Sequence, residues 1–513
     1  MDYLLGIDGG TECIKAAIYD LEGNLIALSD YKYDTFYIKP GWAEQKIEHW
    51  RKGLIESVRQ VIALSKIDPA QISGISADAT CCSIVFIDRD NNPVRDPIIW
   101  MDVRAVDEAE YIDSIEDSAK KYNGFSKVSP EWFPCKLLWM KKNEPENLKK
   151  AAVIAEYTDW LTHELTDLWT LGISTVTVRG YYDNRHGGWP LNFYKKIGLS
   201  EIFEKLPAKV LRVGQLAGGI SDEFARLTGL KAGTPVAQGG FDAIAGMIGS
   251  NAFNNGQVFL IAGSSNYIQV NIDKEFNAKG IFGSYPDTAI DNFAIEGGQV
   301  STGSVMKWFK NNFINNTLLE NANKEGLDIY KYMDSEAKKI PIGSEGIIFV
   351  EHLQGNRTPF IDPKSRGIIA GLSLKHTPVH IYRSIMEAVA FGTECTLRVL
   401  KKNNFKLTEI IACGGQFKSE LWAQIYADVT GIPIKLTTNP EATTLGSAIL
   451  GGMAAKKFNN LNEAADKMVK YKETILPNKE NHEKYKYLLD RYVETYESLR
   501  ENIYKISDFN NMK

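Results

Sequence analysis

The chain lacks most features that point to a secreted, membrane-bound or nucleic-acid-binding protein. Its 513 residues contain only six cysteines and no CxxC pair, so neither a disulfide framework nor a zinc site is expected, and the cysteines are predicted to be reduced thiols. The formal net charge is only −5, which gives no reason to expect a nucleic acid or an acidic membrane as partner. No run of about eighteen apolar residues occurs, and no basic flank precedes an apolar stretch at the N-terminus. A cytoplasmic location is therefore expected.

The motifs of two common nucleotide-binding folds are absent as well. The chain has neither a GxxxxGK[ST] loop nor a GxGxxG fingerprint, so the P-loop and dinucleotide-binding classes lose their main support. The seven histidines are scattered, and His163 lacks the second histidine of a zinc protease motif. We assign no histidine a catalytic role, and any nucleotide must be held in another way.

The size and composition indicate a large enzyme of two domains. A chain of 513 residues exceeds the size at which one hydrophobic core keeps growing, so two domains are expected, and the cleft between domains is where small ligands bind. The hydrophobic fraction of 44% and the charged fraction of 24% are typical of a soluble globular enzyme.

Strand and helix patterns alternate along the N-terminal region. A helix is predicted around residues 54–62, where apolar side chains recur as on one helix face. Strands are predicted at residues 3–7, 16–19, 25–28, 72–77 and 83–87. This mixture of strand meanders and strand–helix–strand units indicates an α/β protein with a mixed sheet.

The strand and small-residue turn of the N-terminus recur at residues 257–266. This self-similarity suggests two copies of one unit that join near residues 249–256, although the same pattern also occurs in α/β proteins without duplication. From Asn459 onward the sequence is charged and helical, which predicts a C-terminal helical cap without chemistry. We therefore predict domains at residues 1–250 and 251–455 and a cap at residues 456–513.

Two turns of small residues are candidates for phosphate binding. Asp8 is followed by Gly10 and Thr11. Glycine lets backbone N–H groups approach phosphate oxygens, a threonine hydroxyl donates a hydrogen bond, and an aspartate can hold a hydrated Mg²⁺. Gly263 and Ser264 form a similar turn without the acid, as expected if the two turns grip different parts of one nucleotide. Taken alone, each turn is also compatible with a simple hairpin.

Asp242 is the candidate general base. It follows a predicted strand at residues 235–238 and two glycines, and ligands of open α/β sheets bind at the carboxyl ends of the strands. There it could accept a proton from an attacking hydroxyl, a role that contributes roughly 10²-fold to 10⁴-fold to a rate. An N-cap position on the following helix is the alternative, and it does not exclude catalysis.

A further strand ends before Gly414, Gly415 and Gln416, where an adenine or a ribose could lie against bare backbone. Downstream, residues 441–448 begin a helix with many small side chains. These residues could permit tight packing near such a ligand, or they could serve only close packing of a helix on a sheet.

Polar residues for a substrate pocket follow two strands. Asp78 and Thr80 come at the end of one strand, and Trp100, Asp102 and Arg104 alternate an aromatic ring, a carboxylate and a guanidinium. Sugars require flat apolar faces together with hydrogen-bonding edges. A surface ion pair between Asp102 and Arg104 is the alternative interpretation.

Together these motifs resemble the FGGY carbohydrate kinases. The C-terminal signature of that family fits residues 367–372 and 380–387 at every restricted position, and similarity extends over roughly residues 3 to 455. The N-terminal signature fits at residues 136–143, but Phe133 stands where a proline, serine or threonine is usual. The resemblance implies an α/β fold of two actin-like (ribonuclease H-like) ATPase domains with a deep interdomain cleft.

The resemblance also implies roles for the candidate residues. ATP and Mg²⁺ are the expected cofactors, Asp242 is the expected catalytic base, and Asp8 and Asp242 are the expected metal ligands. The substrate residues are expected to be Asp78, Thr80, Trp100, Asp102, Arg104 and Asp242. The nucleotide residues are expected to be Gly10, Thr11, Lys15, Gly263, Ser264, Gly303, Gly414, Gly415, Gln416 and Ser419.

The substrate implied by the resemblance is a small open-chain sugar. Asp78, Thr80 and Trp100 look like the ribulokinase branch, in particular the D-ribulose kinases, whereas the histidine that ribulokinases tend to have after the catalytic aspartate is missing after Asp242. Xylulose, erythrulose and polyols therefore remain open as substrates. A non-catalytic actin-like sugar sensor and an acyl phosphotransferase are rival classes, and the second would need an arginine-rich site that is not seen beside Asp242. A homodimer is possible.

Overall fold

The computed structural model describes residues 2–123 and 127–509. These residues contain two large sheets, one in each half of the chain. The strands of the N-terminal half are β1 (Tyr3–Gly9), β2 (Cys13–Asp20), β3 (Leu25–Lys32), β4 (Ile72–Ala79), β5 (Ile84–Ile87), β6 (Val153–Glu156), β7 (Leu171–Gly172), β8 (Val210–Leu211), β9 (Leu216–Gly219) and β10 (Pro235–Ala237). Its helices are α1 (Ile47–Ser65), α2 (Val106–Ser114), α3 (Phe133–Asn143), α4 (Pro145–Lys150), α5 (Tyr157–Thr166), α6 (Ile173–Thr177), α7 (Leu191–Lys196), α8 (Asp222–Thr228) and α9 (Asp242–Ile248).

The C-terminal half repeats the mixture of strands and helices. Its strands are β11 (Gln257–Ala262), β12 (Asn266–Ile272), β13 (Phe282–Pro286), β14 (Phe293–Gln299), β15 (Ile348–Val350), β16 (Ile368–Ala370), β17 (Glu409–Cys413), β18 (Ile434–Thr437) and β19 (Tyr471–Ile475). Its helices are α10 (Gly303–Phe313), α11 (Asn316–Lys324), α12 (Ile329–Ala337), α13 (Pro378–Lys401), α14 (Glu420–Thr430), α15 (Ala442–Ala454), α16 (Leu461–Met468) and α17 (Lys479–Phe509). Among the residues described, no helix is both long and apolar enough to cross a membrane.

The two large sheets share one strand order, except that the second sheet has one additional strand. The first runs β3-β2-β1-β4-β10-β9 and the second runs β13-β14-β12-β11-β17-β18-β19. Three antiparallel strands in the first sheet, and four in the second, are followed by two parallel strands and an antiparallel edge strand. The repeated order supports two copies of one unit, and the predicted α/β fold class with two actin-like halves is confirmed.

One helix of each half packs against the other half. Helix α15 lies on β1 and β4, where a Cβ added at Gly6 would be 1.8 Å from the Thr444 carbonyl oxygen. Helix α9 contacts the second sheet, because Gln269 on β12 donates a hydrogen bond to the Met247 sulfur at 2.7 Å. The two helices also contact each other. The stretch 249–256 contains neither a helix nor a strand, and the domain boundary proposed there stays a prediction.

The prediction of an all-helical cap was wrong in one element. Residues 471–475 form β19, which pairs with β18 at the edge of the second sheet. Helix α17 then returns over this half and buries four side chains of its apolar face, Tyr485, Leu489, Tyr492 and Tyr496. The high content of charged residues in the tail reflects the exposed face of α17, and it concealed the edge strand. Residues 510–513 of the predicted cap lie outside the described part of the chain.

Candidate active site

Three carboxylates share one edge of the first sheet. Asp8 on β1 lies in register with Asp78 on β4, and Phe241 forms a parallel bridge with Ala79, which brings Asp242 to the same edge. Strands β1, β4 and β10 are parallel, so this edge is the carboxyl edge at which open α/β sheets bind ligands. The structure therefore brings together the three acidic residues that the sequence singled out.

Helix α15, which belongs to the C-terminal half, forms hydrogen bonds with two of these carboxylates. The Thr443 hydroxyl donates to Asp8 Oδ2 at 2.8 Å and the Ser447 hydroxyl donates to Asp78 Oδ2 at 2.6 Å. These hydroxyls lie four residues apart and hence on one face of the helix. Burial, followed by the Asp8 charge, raises the pKa of Asp78 well above its ordinary value. Burial also raises the pKa of Asp8, while the hydrogen bond from Thr443 and the charge of Lys15 act in the opposite direction.

Asp242 is the first residue of α9, so Phe241 rather than Asp242 occupies the N-cap position that the sequence offered as the alternative. Its Oδ1 accepts a hydrogen bond from the Ala243 backbone N–H at 2.7 Å, which fixes the carboxylate at the helix start. Burial, with a smaller contribution from the Asp8 charge, raises the pKa of Asp242 to about 7. A general base is most effective when its pKa lies near the working pH.

The glycine turns of the second sheet lie side by side at its carboxyl edge. Strands β11 and β17 pair up to Ile261 and Cys413, so the turns that follow are neighbours. A Cβ at Gly303 would be 2.4 Å from the Gly263 carbonyl oxygen, whereas a Cβ at Gly415 would meet nothing within 4 Å. Gly303 thus allows close approach of two backbones, and Gly415 exposes bare backbone to open space. Ser264 is exposed on the same edge.

Gln416 connects the turns of this edge. Its amide nitrogen donates to the Gly263 carbonyl at 3.0 Å, to Asn266 Oδ1 at 2.9 Å and to Thr302 Oγ1 at 2.9 Å, and its oxygen accepts from the Tyr426 hydroxyl at 2.8 Å. These bonds occupy the buried side chain, which argues for a role in positioning the turns rather than in direct contact with a nucleotide. Ser419 has a structural contact too, because it caps α14 through the Trp422 backbone N–H at 3.2 Å.

The first turn combines a hairpin with contacts to the predicted substrate residues. The Gly10 N–H donates to the Cys13 carbonyl at 3.0 Å, as in the hairpin alternative. Trp100 Nε1 donates to Thr11 Oγ1 at 2.9 Å, and the Trp100 side chain remains 38% exposed. Lys15 forms an ion pair with Glu441 at 2.6 Å, beside the start of α15. The predicted phosphate turn and the predicted substrate aromatic ring therefore lie side by side.

Asp102 and Arg104 form an ion pair, but it is buried rather than on the surface. The Arg104 Nε and one terminal nitrogen bind the Asp102 carboxylate at 2.7 to 3.0 Å, and neither side chain is exposed. Arg104 also contacts Glu44 at 2.7 Å and packs against the rings of Trp42 and Trp139, 4.0 and 5.0 Å from their centroids. This enclosure argues that the pair positions the loop of Trp100. Thr80 lies nearer the carboxylate edge, and its hydroxyl contacts Ser83 Oγ at 2.9 Å.

Sequence reasoning missed a second polar group at the cleft. Arg179, from the N-terminal half, binds Glu296 and the Tyr285 hydroxyl of the C-terminal half. The Tyr267 hydroxyl donates to Glu296 Oε2 at 3.4 Å. Burial raises the pKa of Tyr267 well above its ordinary value, and the charge of Asp242 adds a smaller contribution. The available sequence signal was Glu296 itself, a carboxylate within the buried apolar and glycine-rich strand β14.

The donors at the carboxylate edge fit the cofactors implied by the sequence. Asp8 and Asp242 offer carboxylate oxygens, which Mg²⁺ prefers. The open backbone at Gly415 and the turn at Gly263 and Ser264 offer space and N–H groups at the facing edge, as a nucleotide requires. Asp8 and Asp242 would hold the metal ion, and the turns of the second sheet would hold the nucleotide.

Comparison with known proteins agrees with this geometry. The model of the N-terminal domain of the FGGY family of carbohydrate kinases matches residues 3–249, and the model of its C-terminal domain matches residues 258–455. A ribulokinase of Shouchella clausii is 29% identical, with 96% of this chain and 94% of the relative covered. A xylulose kinase of Bacillus subtilis is 26% identical, with 97% of each chain covered.

Solved structures have the same fold. The ligand-bound xylulose kinase of Lactobacillus acidophilus superposes with a TM-score of 0.87 at 23% identity, with 99% of this chain and 100% of that chain covered. The two family models together span most of the chain, and each contains one of the two large sheets apart from the edge strand β19. The chain belongs to the FGGY family of carbohydrate kinases.

Proposed function

We propose that this carbohydrate kinase transfers the γ-phosphoryl group of MgATP to a terminal hydroxyl of an uncharged open-chain pentulose, with D-ribulose as the first candidate. The observation that carries the proposal is the position of Asp242. Its carboxylate lies on the carboxyl edge of the first sheet with Asp8, at the start of a helix that contacts the second sheet. A base in this position can reach both an acceptor hydroxyl and the metal-bound phosphate.

In the proposed reaction Asp242 accepts the proton of the attacking hydroxyl. The Ala243 N–H holds one carboxylate oxygen, and within the described chain no hydrogen bond engages the other, which leaves it for the substrate. The Thr443 hydroxyl donates to Asp8 Oδ2 and so restricts the orientation of this proposed metal ligand. Mg²⁺, when bound, neutralises the charge that develops on the phosphoryl oxygens. The catalytic effect then comes mainly from positioning and from charge stabilisation.

The proposed sugar pocket continues from Asp242 to Glu296 and Arg179. The pair is linked to Tyr267 and Tyr285, so it offers both donors and acceptors to sugar hydroxyls. The exposed ring of Trp100 provides an apolar face. The charge of Arg179 is already balanced by Glu296, and the remaining carboxylates would repel a second negative group. This balance favours a neutral sugar over a sugar acid.

The relatives support a pentulose without deciding which one. Ribulokinases at 28% to 29% identity and a xylulose kinase at 26% identity are similarly distant. D-Ribulose is preferred because of Asp78, Thr80 and Trp100, while xylulose, erythrulose and polyols remain alternatives. The expected cytoplasmic location and the possible homodimer stay predictions.

The test is coupled ADP formation from MgATP with D- and L-ribulose, D- and L-xylulose, erythrulose, glycerol, and four- and five-carbon polyols. The proposal predicts a strong preference for one ketopentose, with D-ribulose tried first. Preference for a polyol would retain the kinase and replace the substrate class. No stimulation by any compound would contradict the proposal and favour the non-catalytic sensor.

A further inference from the structure

Two adjacent cysteines and a glutamate lie beside the proposed sugar pocket and take no part in the mechanism above. Cys81 and Cys82 follow Thr80 directly, and their sulfur atoms are 3.5 Å apart. The Cys82 N–H donates to Glu156 Oε2 at 2.8 Å. One potential ligand atom from each of Cys81, Cys82 and Glu156 lies within 4.8 Å of the other two.

The backbone places the two thiols on the same side. In extended chain, successive side chains point in opposite directions, which would separate the sulfurs of adjacent cysteines. Here the chain turns, and Cys82 adopts the left-handed conformation with φ of 60°. A tetrahedral ion with metal–sulfur bonds of about 2.3 Å holds its sulfurs about 3.8 Å apart. The observed spacing therefore needs only a small adjustment to chelate one ion.

We propose that Cys81, Cys82 and Glu156 bind one soft divalent cation of the Zn²⁺ class, and that the bound ion competes with the sugar. Two thiolates and a carboxylate are a ligand set that selects Zn²⁺ or Cd²⁺ over Mg²⁺. Binding releases the two thiol protons and any proton on the Glu156 carboxyl to the buffer, and it forms two metal–sulfur bonds and one metal–oxygen bond. The proposal revises the expectation of no zinc site, which considered only CxxC spacing along the sequence.

The surroundings of the three residues suit such an ion. Cys82 and Glu156 are buried, whereas Cys81 is half-buried, so the open coordination position lies on the side of Cys81. The buried Lys136 ammonium donates to the Cys82 carbonyl at 2.7 Å and to the Ile99 carbonyl at 2.8 Å. It fixes the turn and supplies a positive charge near the thiolates.

The position of the site explains why the ion would exclude the sugar. The hydroxyls of Thr80 and Ser83, which flank the two cysteines in the sequence, form a hydrogen bond at 2.9 Å. The Ser83 hydroxyl also accepts a hydrogen bond from the Trp100 backbone N–H at 3.1 Å. An ion with a water or chloride in its fourth position would lie next to Thr80. The ion and a sugar bound at Thr80 and Trp100 would therefore compete for one space.

Metal binding is tested with Cd²⁺ alone, on the full chain kept reduced with a phosphine. The ultraviolet charge-transfer absorption of cadmium thiolate should saturate at about one ion per chain. Cys81→Ser and Cys82→Ser should each weaken binding by at least about 10-fold. Cys395→Ala, which removes a buried cysteine of the C-terminal half, should leave the titration unchanged. Thermal midpoints of all variants, with and without ADP, identify any variant that fails to fold.

Competition is tested by steady-state kinetics with Zn²⁺ and an excess of MgATP. The apparent KM for the sugar should rise by at least about 10-fold at saturating Zn²⁺ and should rise much less in Cys81→Ser. Absence of the thiolate band, or an equal band in Cys81→Ser, overturns the metal site. Inhibition that is not competitive with the sugar overturns the second half of the proposal.

Only the competition rests on the proposed function. A chain that shows the thiolate band but phosphorylates no sugar would contradict the proposed function and leave the metal site standing. An active kinase without the band would contradict the metal site alone.

Discussion

The close crossing of α9 and α15 makes Gly446 a sensitive position far from any substrate. An added Cβ would lie 1.8 Å from the Ala245 carbonyl oxygen, so the two helices must separate by about 1 Å or more before an ordinary contact is restored. Overpacking of this kind costs about 1–3 kcal/mol, and the rigid backbone on both sides favours the upper end. The better helix propensity of alanine recovers at most about 1 kcal/mol.

The same separation should lower activity, because both helices carry site residues. Helix α15 holds Asp8 through Thr443, and α9 begins at Asp242. A displacement of 1 Å at reacting groups costs on the order of 10²-fold in rate. Gly446→Ala is therefore expected to lower kcat by about 10²-fold in the coupled ADP assay and to lower the thermal midpoint by about 2 °C.

The matched control is Gly415→Ala, where the added methyl group meets nothing within 4 Å. This control should keep the wild-type thermal midpoint. A Gly446→Ala variant with wild-type kcat and thermal midpoint would refute the account of the helix crossing.

Three further predictions concern other parts of the molecule. Gly415→Ala should raise the KM for ATP without changing the sugar KM, because its methyl group enters the space proposed for the nucleotide. Glu296→Gln should raise the sugar KM by at least about 10-fold with little change in the KM for ATP, since it leaves Arg179 without its charged partner; equal effects on both KM values would remove the pair from the sugar pocket. Burial raises the pKa of Glu351 to about 7 from 4.5. The stabilisation associated with its proton is complete below pH 4.5 and is lost as the pH rises through 7. The thermal midpoint of the wild type should therefore fall relative to that of Glu351→Gln over this range, and parallel midpoints would contradict the shift.

The acidic residues of the site could be found from the sequence because their signals are local. Asp8 and Asp242 each follow a strand pattern and stand beside glycines, and the carboxyl ends of parallel strands meet at one edge. The glycines of the second sheet were found in the same way. Their individual roles could not be predicted, because these depend on neighbours that are distant in the sequence. Gly303 allows two backbones to approach closely, whereas Gly415 leaves its backbone open.

The second polar group of the pocket could not be predicted in this manner. Arg179 and Glu296 are separated by 117 residues and come from different halves of the chain. The ion pair between them exists only because the halves fold against each other. The loop of Arg179 carries no motif, so only Glu296 in its buried strand offered a signal.

Other differences arise from packing across the fold. The interpretation of residues 441–448 as a helix that packs closely on a sheet was correct, but the sheet on which α15 packs belongs to the other half. The Asp102 and Arg104 pair was expected on the surface as an alternative, and the rings of Trp42 and Trp139 enclose it instead. Aromatic residues from distant segments decide this burial, and their meeting is not visible in the local sequence.

The most direct test of the central claim is the turnover of Asp242→Asn with MgATP and the preferred sugar. The asparagine keeps the shape of the side chain and an oxygen acceptor for the Ala243 N–H, but it cannot accept the substrate proton. The account predicts a kcat lower by 10²-fold or more, with ATP binding close to that of the wild type. Turnover close to that of the wild type would contradict the assignment of Asp242 as the base.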